Sequence, residues 1–227
     1  MNVYFISGLG ADERAFERIR LTGDYSIYHL RWIAPLKDEP LNSYAKRLSA
    51  PIDTTQPFAL VGLSMGGMIA AAMSDFLQPQ KTILISSAAC AAQLPAYFKW
   101  CGRAGLHKLI PTRLTNKPNV IAYWLFGAKS ETEKKLLRRI ITEGDTAFVK
   151  WGIGAILTWR RKQKADNIFH IHGEADKILP LRFTKPDVVV RGGSHFMVWT
   201  KAGEVSRLLQ KILDSCRVAS KFNQESG

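Results

Sequence analysis

The sequence predicts an α/β fold built on a mostly parallel six-stranded sheet flanked by helices. Three observations carry that expectation. Short runs rich in β-branched and aromatic residues recur along the chain. Several of them are apolar at nearly every position instead of alternating, as strands covered on both faces must be. Helical patterns fall between them, the alternation that builds a layered α/β domain.

Taken in order, the first strand is Val3–Ile6, and Asp12 is placed to cap a helix running from Asp12 to Leu21. A second run, Ser26–Leu30, precedes a helical stretch from Leu41 to Ile52. Phe58–Leu63 passes through a single tight turn into a helix from Met65 to Leu77, and Thr82–Ile85 forms the fourth strand. Asn167–Ile171 and Asp187–Val190 are the fifth and sixth, and a helix from Glu204 to Val218 follows. Between the fourth and fifth strands, the stretch from Leu94 to Lys164 offers no comparable strand, only helical patterns such as Glu131–Glu143 and Thr146–Trp159. An insertion there would lie over the carboxyl ends of the strands, where open α/β sheets bind their ligands. The expected organisation is therefore a core of residues 1–92 and 166–227 under a basic helical cap of residues 93–165.

Composition narrows the function classes. The 227 residues, 46% hydrophobic and 22% charged, suit one sizeable globular core. The net charge of +13 is unevenly spread: Gln93 to Ala165 holds 15 Lys/Arg against 4 Asp/Glu, a net of +11, and the rest holds 17 against 15, a net of +2. The charge belongs to the insertion and is not joined to a recognisable nucleic-acid module, so no nucleic-acid partner is expected. The opening MNVYFISGLG has neither a basic leader nor a long apolar stretch, and no run approaches membrane-spanning length. A cytoplasmic protein is expected, with peripheral lipid contact the one membrane role left open. Cys90, Cys101 and Cys216 are odd in number and scattered, which argues against a disulfide framework or a thiolate metal site.

The chemistry centres on Gly62-Leu63-Ser64-Met65-Gly66, followed by Gly67. A glycine cluster of this kind can be a plain turn, but a strand before it and a helix after it is the setting of a nucleophile elbow, G-x-S-x-G. A serine hydroxyl is a weak nucleophile and needs a base, which in turn needs an orienting carboxylate. Of the five histidines, His29 and His170 fall in strand patterns, His107 lies in the insertion and His172 follows a strand directly. His195 alone sits in a glycine-rich loop, RGGSHF, between the last strand and the last helix. In HGEADKILP, Asp176 occupies the loop after the fifth strand, with Glu174 the near alternative; Asp166 and Asp187 precede their strands and belong to the opposite edge. Two backbone amides must meet the charge that develops on a carbonyl oxygen: that of Met65, after the nucleophile, and that of Leu9 in the ISGLGAD turn.

Together SGLGAD, GLSMGG, HGEADKILP and GGSHF, in this order and spacing, resemble the α/β-hydrolase fold family over about two thirds of the chain. The resemblance implies a Ser64 nucleophile, a His195 base and an Asp176 orienter beneath a helical cap, working without cofactor or metal on esters, thioesters or related acyl compounds. Two features depart from the pattern. Ser7-Gly8 stands where the family has His-Gly, and the chain begins at what would be the family's third strand, so six strands are expected where the family has eight. A serine at position 64 argues against dehalogenase chemistry, which would use aspartate there.

The expected substrate is a small acyl compound. Tyr97, Phe98, Trp100, Tyr123, Trp124, Phe126, Trp151 and Trp159 could line an apolar pocket or form the insertion's own core. Trp124, Trp151 and Phe196 are the candidate substrate contacts. The basic runs KKLLRR and RRKQK, at Lys134 to Arg139 and Arg160 to Lys164, are either a solvated face or an attraction for an anionic substrate or lipid surface. Acyl transfer, and noncatalytic binding of a small ligand on the same scaffold, remain as alternatives to hydrolysis.

Overall fold

Every strand of the sheet runs in the same direction. β1 (Asn2–Ile6), β2 (Ser26–Leu30), β3 (Phe58–Leu63), β4 (Lys81–Ile85), β5 (Ile168–Gly173) and β6 (Val188–Val190) are ordered β2-β1-β3-β4-β5-β6. The computed structural model describes residues 1–105 and 118–225, with residues 216–225 described by backbone alone. His107 and the side chain of Cys216 lie outside the described residues. The helices are α1 (Leu41–Leu48), α2 (Met65–Met73), α3 (Ala96–Arg103), α4 (Val120–Phe126), α5 (Glu131–Glu143), α6 (Thr146–Leu157), α7 (Met197–Thr200) and α8 (Ala202–Glu225).

The near-continuous hydrophobicity of the strands has a direct cause. Alternate residues enter two different cores: Tyr4, Ile6, Leu60 and Leu84 pack with α1 and α2, whereas Val3, Phe5, Val61, Ile83 and Ile85 pack with α7 and α8. Both faces of the sheet are therefore covered, and β3 is buried at every position. β2 is the exception. As an edge strand it pairs on one side only, Ile27 and Tyr28 stay about half exposed, and only Leu30 is buried.

Several expected boundaries shift. Asp12 does cap, accepting from the Arg14 amide at 3.1 Å, yet the helix expected to Leu21 is a single 3₁₀ turn, Glu13–Phe16. Only Ala15 and Phe16 are buried within that turn, after which the chain leaves the helical path and the Arg20 amide donates to Ser206 Oγ of α8. α1 stops at Leu48 rather than Ile52 because Pro51 cannot continue the ladder and disfavours helical backbone at Ala50. β5 extends to Gly173, paired with Val190, so His172 lies inside the strand rather than after it. α8 begins two residues before Glu204 and runs on to Glu225.

The helices between β4 and β5 sit against loops at the carboxyl ends of the strands. The Phe196 amide donates to the Phe126 carbonyl at 3.1 Å, Trp151 Nε1 donates to the Glu39 carbonyl at 2.9 Å, and Gly152 packs on the side chains of Leu9 and Met65. No helix among the described residues is long and apolar enough to cross a membrane.

Candidate active site

The backbone itself singles out Ser64. Its φ of 53° and ψ of −120° lie where residues with a side chain are strained, at a cost of roughly 1–3 kcal/mol. Hydrogen bonds hold the strain in place. The Ser64 amide donates to the Ile85 carbonyl at 2.9 Å, and its carbonyl accepts from Ser87 Oγ at 2.6 Å and from the Gly67 amide at 3.0 Å. The turn also needs close approach: a side chain at Gly66 would strike the carbonyl oxygens of Ile6 and Ser7, and one at Gly62 would strike the Gly66 carbonyl. The hydroxyl is thus fixed at the end of β3 and the start of α2, where the amides of the first helical turn face outward.

Three residues that are far apart in sequence meet here. His195 Nε2 lies 2.9 Å from Ser64 Oγ, and His195 Nδ1 lies 2.7 Å from Asp176 Oδ2. A carboxylate only accepts, so Nδ1 carries the imidazole proton and the Nε2 lone pair faces the hydroxyl. Asp176 Oδ1 is occupied separately, accepting from the Ile178 and Leu179 amides at 2.9 and 2.8 Å. Two strand exits stitch these loops together, the Ala175 amide donating to the Gly193 carbonyl at 2.8 Å and the Glu174 amide to the Val190 carbonyl at 3.0 Å. Glu174 is not at the histidine; its carboxylate accepts from the Gly192 amide. Asp187 is engaged elsewhere, accepting from the His170 amide and from Lys164.

Electrostatics favour a charged carboxylate. Burial of Asp176 opposes ionisation, but the adjacent His195, the hydrogen bonds from His195 and Leu179, and His172 outweigh it, so its pKa lies below the ordinary carboxylate value. Behind it is a feature that sequence reasoning missed. His172 Nε2 is 2.7 Å from the Leu179 carbonyl, which can only accept, and 3.5 Å from Asp176 Oδ2. His172 Nδ1 is then free to accept from His170 Nε2 at 3.1 Å. Both rings are fully buried; desolvation lowers the pKa of His172, and desolvation with the neighbouring His172 and Lys164 pushes that of His170 down to about 3. The signal was present as IFHIHG, whose alternate positions share a face, but a histidine within a strand reads as packing.

Ser64 and His195 line a cavity of about 740 Å³. Leu9 also lines it, and a methyl group at the neighbouring Gly8 would sit 3.5 Å from Ser64 Cβ. The amides of Leu9 and Met65 make no hydrogen bond to any described residue. The far wall is aliphatic, built from Val149, Ile153, Ile156 and Leu157 of α6 with Leu137 and Ile140 of α5. No Lys, Arg, Asp or Glu is among the described residues that line it. Phe196 is a lining residue, as are Tyr97, Phe98 and Phe126.

Trp124 and Trp151 lie outside the cavity. Trp124 is 59% exposed beneath the Lys177 ammonium, 3.9 Å from its ring centre, and Trp151 turns to α1, its ring 4.4 Å from that of Tyr44. The reason is rotational: on each helix an aliphatic residue, Leu125 on α4 and Ile153 on α6, takes the cavity-facing position. The basic runs also stay out of the cavity. In KKLLRR, Leu136 and Leu137 turn inward while Lys135, Arg138 and Arg139 are exposed. In RRKQK, Arg161 is buried as a brace, paired with Asp75 at 2.7 Å and donating to the Ala89 carbonyl at 2.6 Å.

A six-stranded parallel sheet, helices on both faces, and a serine at a tight strand-to-helix turn define the class: the chain has the α/β-hydrolase fold. Among solved structures, MenH from S. aureus aligns with a TM-score of 0.70 at 14% identity, over 96% of this chain and 94% of its own. A thermophilic esterase from Thermogutta terrifontis aligns at 0.65 and 16% identity, over 95% and 90%. The enol-lactonase from Burkholderia xenovorans LB400 aligns at 0.64 and 15% identity, over 94% and 91%. No protein-family model and no curated protein sequence matches the chain, so the likeness is one of fold.

Proposed function

We propose that this protein is a serine hydrolase that cleaves carboxylic esters or thioesters of apolar acyl groups. The observation that carries the reading is the continuous line from Ser64 Oγ through His195 to a buried Asp176, at the wall of a cavity whose described lining holds no charged side chain. Ser64 Oγ attacks the acyl carbonyl while His195 Nε2 takes its proton, and the tetrahedral oxyanion is met by the Leu9 and Met65 amides. The proton on His195 passes to the departing alcohol or thiol, leaving an acyl group on Ser64. Water then attacks that ester, His195 again taking and returning a proton, and the free acid departs. Asp176 holds the imidazole in the required tautomer and stabilises its charged form. Residues 93–165 act as a cap whose helices supply the apolar wall.

The described lining is aliphatic and aromatic, which favours an acyl chain; an anionic group would find no charged partner among those residues. Ser64→Ala should lose roughly 10⁴-fold or more in turnover of a p-nitrophenyl ester while unfolding at the wild-type temperature. Undiminished turnover would end the assignment and return the chain to noncatalytic ligand binding.

A further inference from the structure

Two helices of the cap carry an apolar ridge that faces away from the protein. On α3, Tyr97, Phe98 and Cys101 line the cavity, and the next position round the helix is Trp100, 65% exposed. On α4, Ile121, Ala122, Leu125 and Phe126 line the cavity, and the next positions round are Trp124 and Val120, 59% and 80% exposed. Tyr97 and Ile121 are at once lining and largely exposed, so they mark the rim where cavity wall becomes outer surface. Exposed apolar side chains grouped on helices that also wall a cavity mark an interaction surface.

Among the described residues, cations flank these ridges. Arg103 lies one turn from Trp100 on α3. Lys177 stacks on Trp124, and Arg182 stacks on Phe183, whose ring meets that of Tyr97 edge-on at 6.5 Å. Tryptophan and tyrosine rings flanked by cations are the groups that settle at the boundary between acyl chains and anionic headgroups.

We infer that the cap rim docks on an anionic lipid bilayer, with Trp100 and Trp124 entering the headgroup boundary and Arg103, Lys177 and Arg182 meeting lipid phosphates. The cavity mouth then opens toward the acyl chains. This docking does not depend on Ser64 being reactive and is measured without turnover.

The test is co-sedimentation of the whole chain with phosphatidylcholine vesicles and with vesicles that also carry phosphatidylglycerol, at low and at high salt. Binding is expected to the anionic vesicles alone, weakening as salt screens the surface. A Trp100→Ser, Trp124→Ser double variant should partition at least about tenfold more weakly, because the two anchoring rings are gone. An Arg103→Glu, Arg182→Glu variant should lose about fivefold or more for each cation removed. Both variants change exposed side chains, and circular dichroism melts checked against wild type keep a folding failure apart from a docking failure. Absence of binding to anionic vesicles overturns the inference. So does binding that ignores both tryptophans, which is adsorption by charge alone, and so does a concentration-dependent dimer that the tryptophan variant abolishes, which assigns the ridges to a second copy of the chain.

Discussion

Asp176→Asn probes the proposed chemistry at its least replaceable atom. Asparagine keeps the shape, and its Oδ1 can still accept from the Ile178 and Leu179 amides, so the loop should stand. What changes is the group facing His195 Nδ1, now 2.7 Å from an oxygen that only accepts. An amide nitrogen there donates, so Nδ1 must become the acceptor and the proton moves to Nε2, where it confronts Ser64 Oγ with no lone pair to take the hydroxyl proton. Losing a hydrogen bond to a charged partner is worth about 1.5–3 kcal/mol, and reversing the tautomer costs a similar amount again. The sum, roughly 3–6 kcal/mol, corresponds to a fall of roughly 10²- to 10⁴-fold in kcat. Steady-state hydrolysis of a short p-nitrophenyl ester measures it, alongside a thermal melt of the same variant. Activity within about threefold of wild type in a folded protein would refute the assignment of roles at this site.

Other outcomes follow from the same geometry. With a cavity of about 740 Å³ whose described lining is apolar, kcat/KM over a series of straight-chain p-nitrophenyl esters should rise about fourfold per methylene until the cavity is filled, from about 0.8 kcal/mol per buried CH₂. Ile153→Trp should lower the chain length at which that rise stops and spare the acetyl ester; an unchanged profile would place the acyl chain elsewhere. Gly66→Ala should destabilise by about 3 kcal/mol or more, a drop of roughly 6–12 °C in Tm, because the new methyl meets backbone carbonyls that cannot move aside. Stability should also fall on acidification. The pKa of His170 is about 3 in the fold against an ordinary 6.5, and that of His172 is also lowered, so the unfolded chain binds more protons below pH 6.5. Each buried imidazole then costs up to about 1.4 kcal/mol per pH unit as pH falls toward its folded value. His170→Asn should flatten the fall in Tm between pH 6.5 and pH 4.5, and an unchanged slope would remove the histidine pair as its cause.

Much of the architecture was legible because the fold turns on local signals. The doubly buried strands, the glycines at Gly62 and Gly66, and the placing of Asp176 and His195 after β5 and β6 all follow from residue type and spacing. Legibility ended where rotation about a helix decides the outcome. Trp124 and Trp151 are the conspicuous residues on α4 and α6, but the helices turn Leu125 and Ile153 to the cavity, and aliphatic side chains at ordinary spacing give no sign of which cavity they will wall. α6 is apolar on almost every side except at Lys150, which does announce a helix covered on more than one face. Arg161 escaped notice for a related reason, since a basic run reads as one solvated face until Asp75 is found opposite one member. The His170–His172 pair required knowing that β5 extends through Gly173 and that the Leu179 carbonyl returns to meet it.

Covalent labelling reads most directly whether Ser64 is a nucleophile made reactive by His195. Intact-mass and peptide analysis after exposure to a fluorophosphonate tests it without any guess at substrate. A single adduct is expected on the peptide carrying Ser64, absent in Ser64→Ala and formed far more slowly in His195→Ala. A folded protein that takes up no label, or labels as fast without His195, would contradict it.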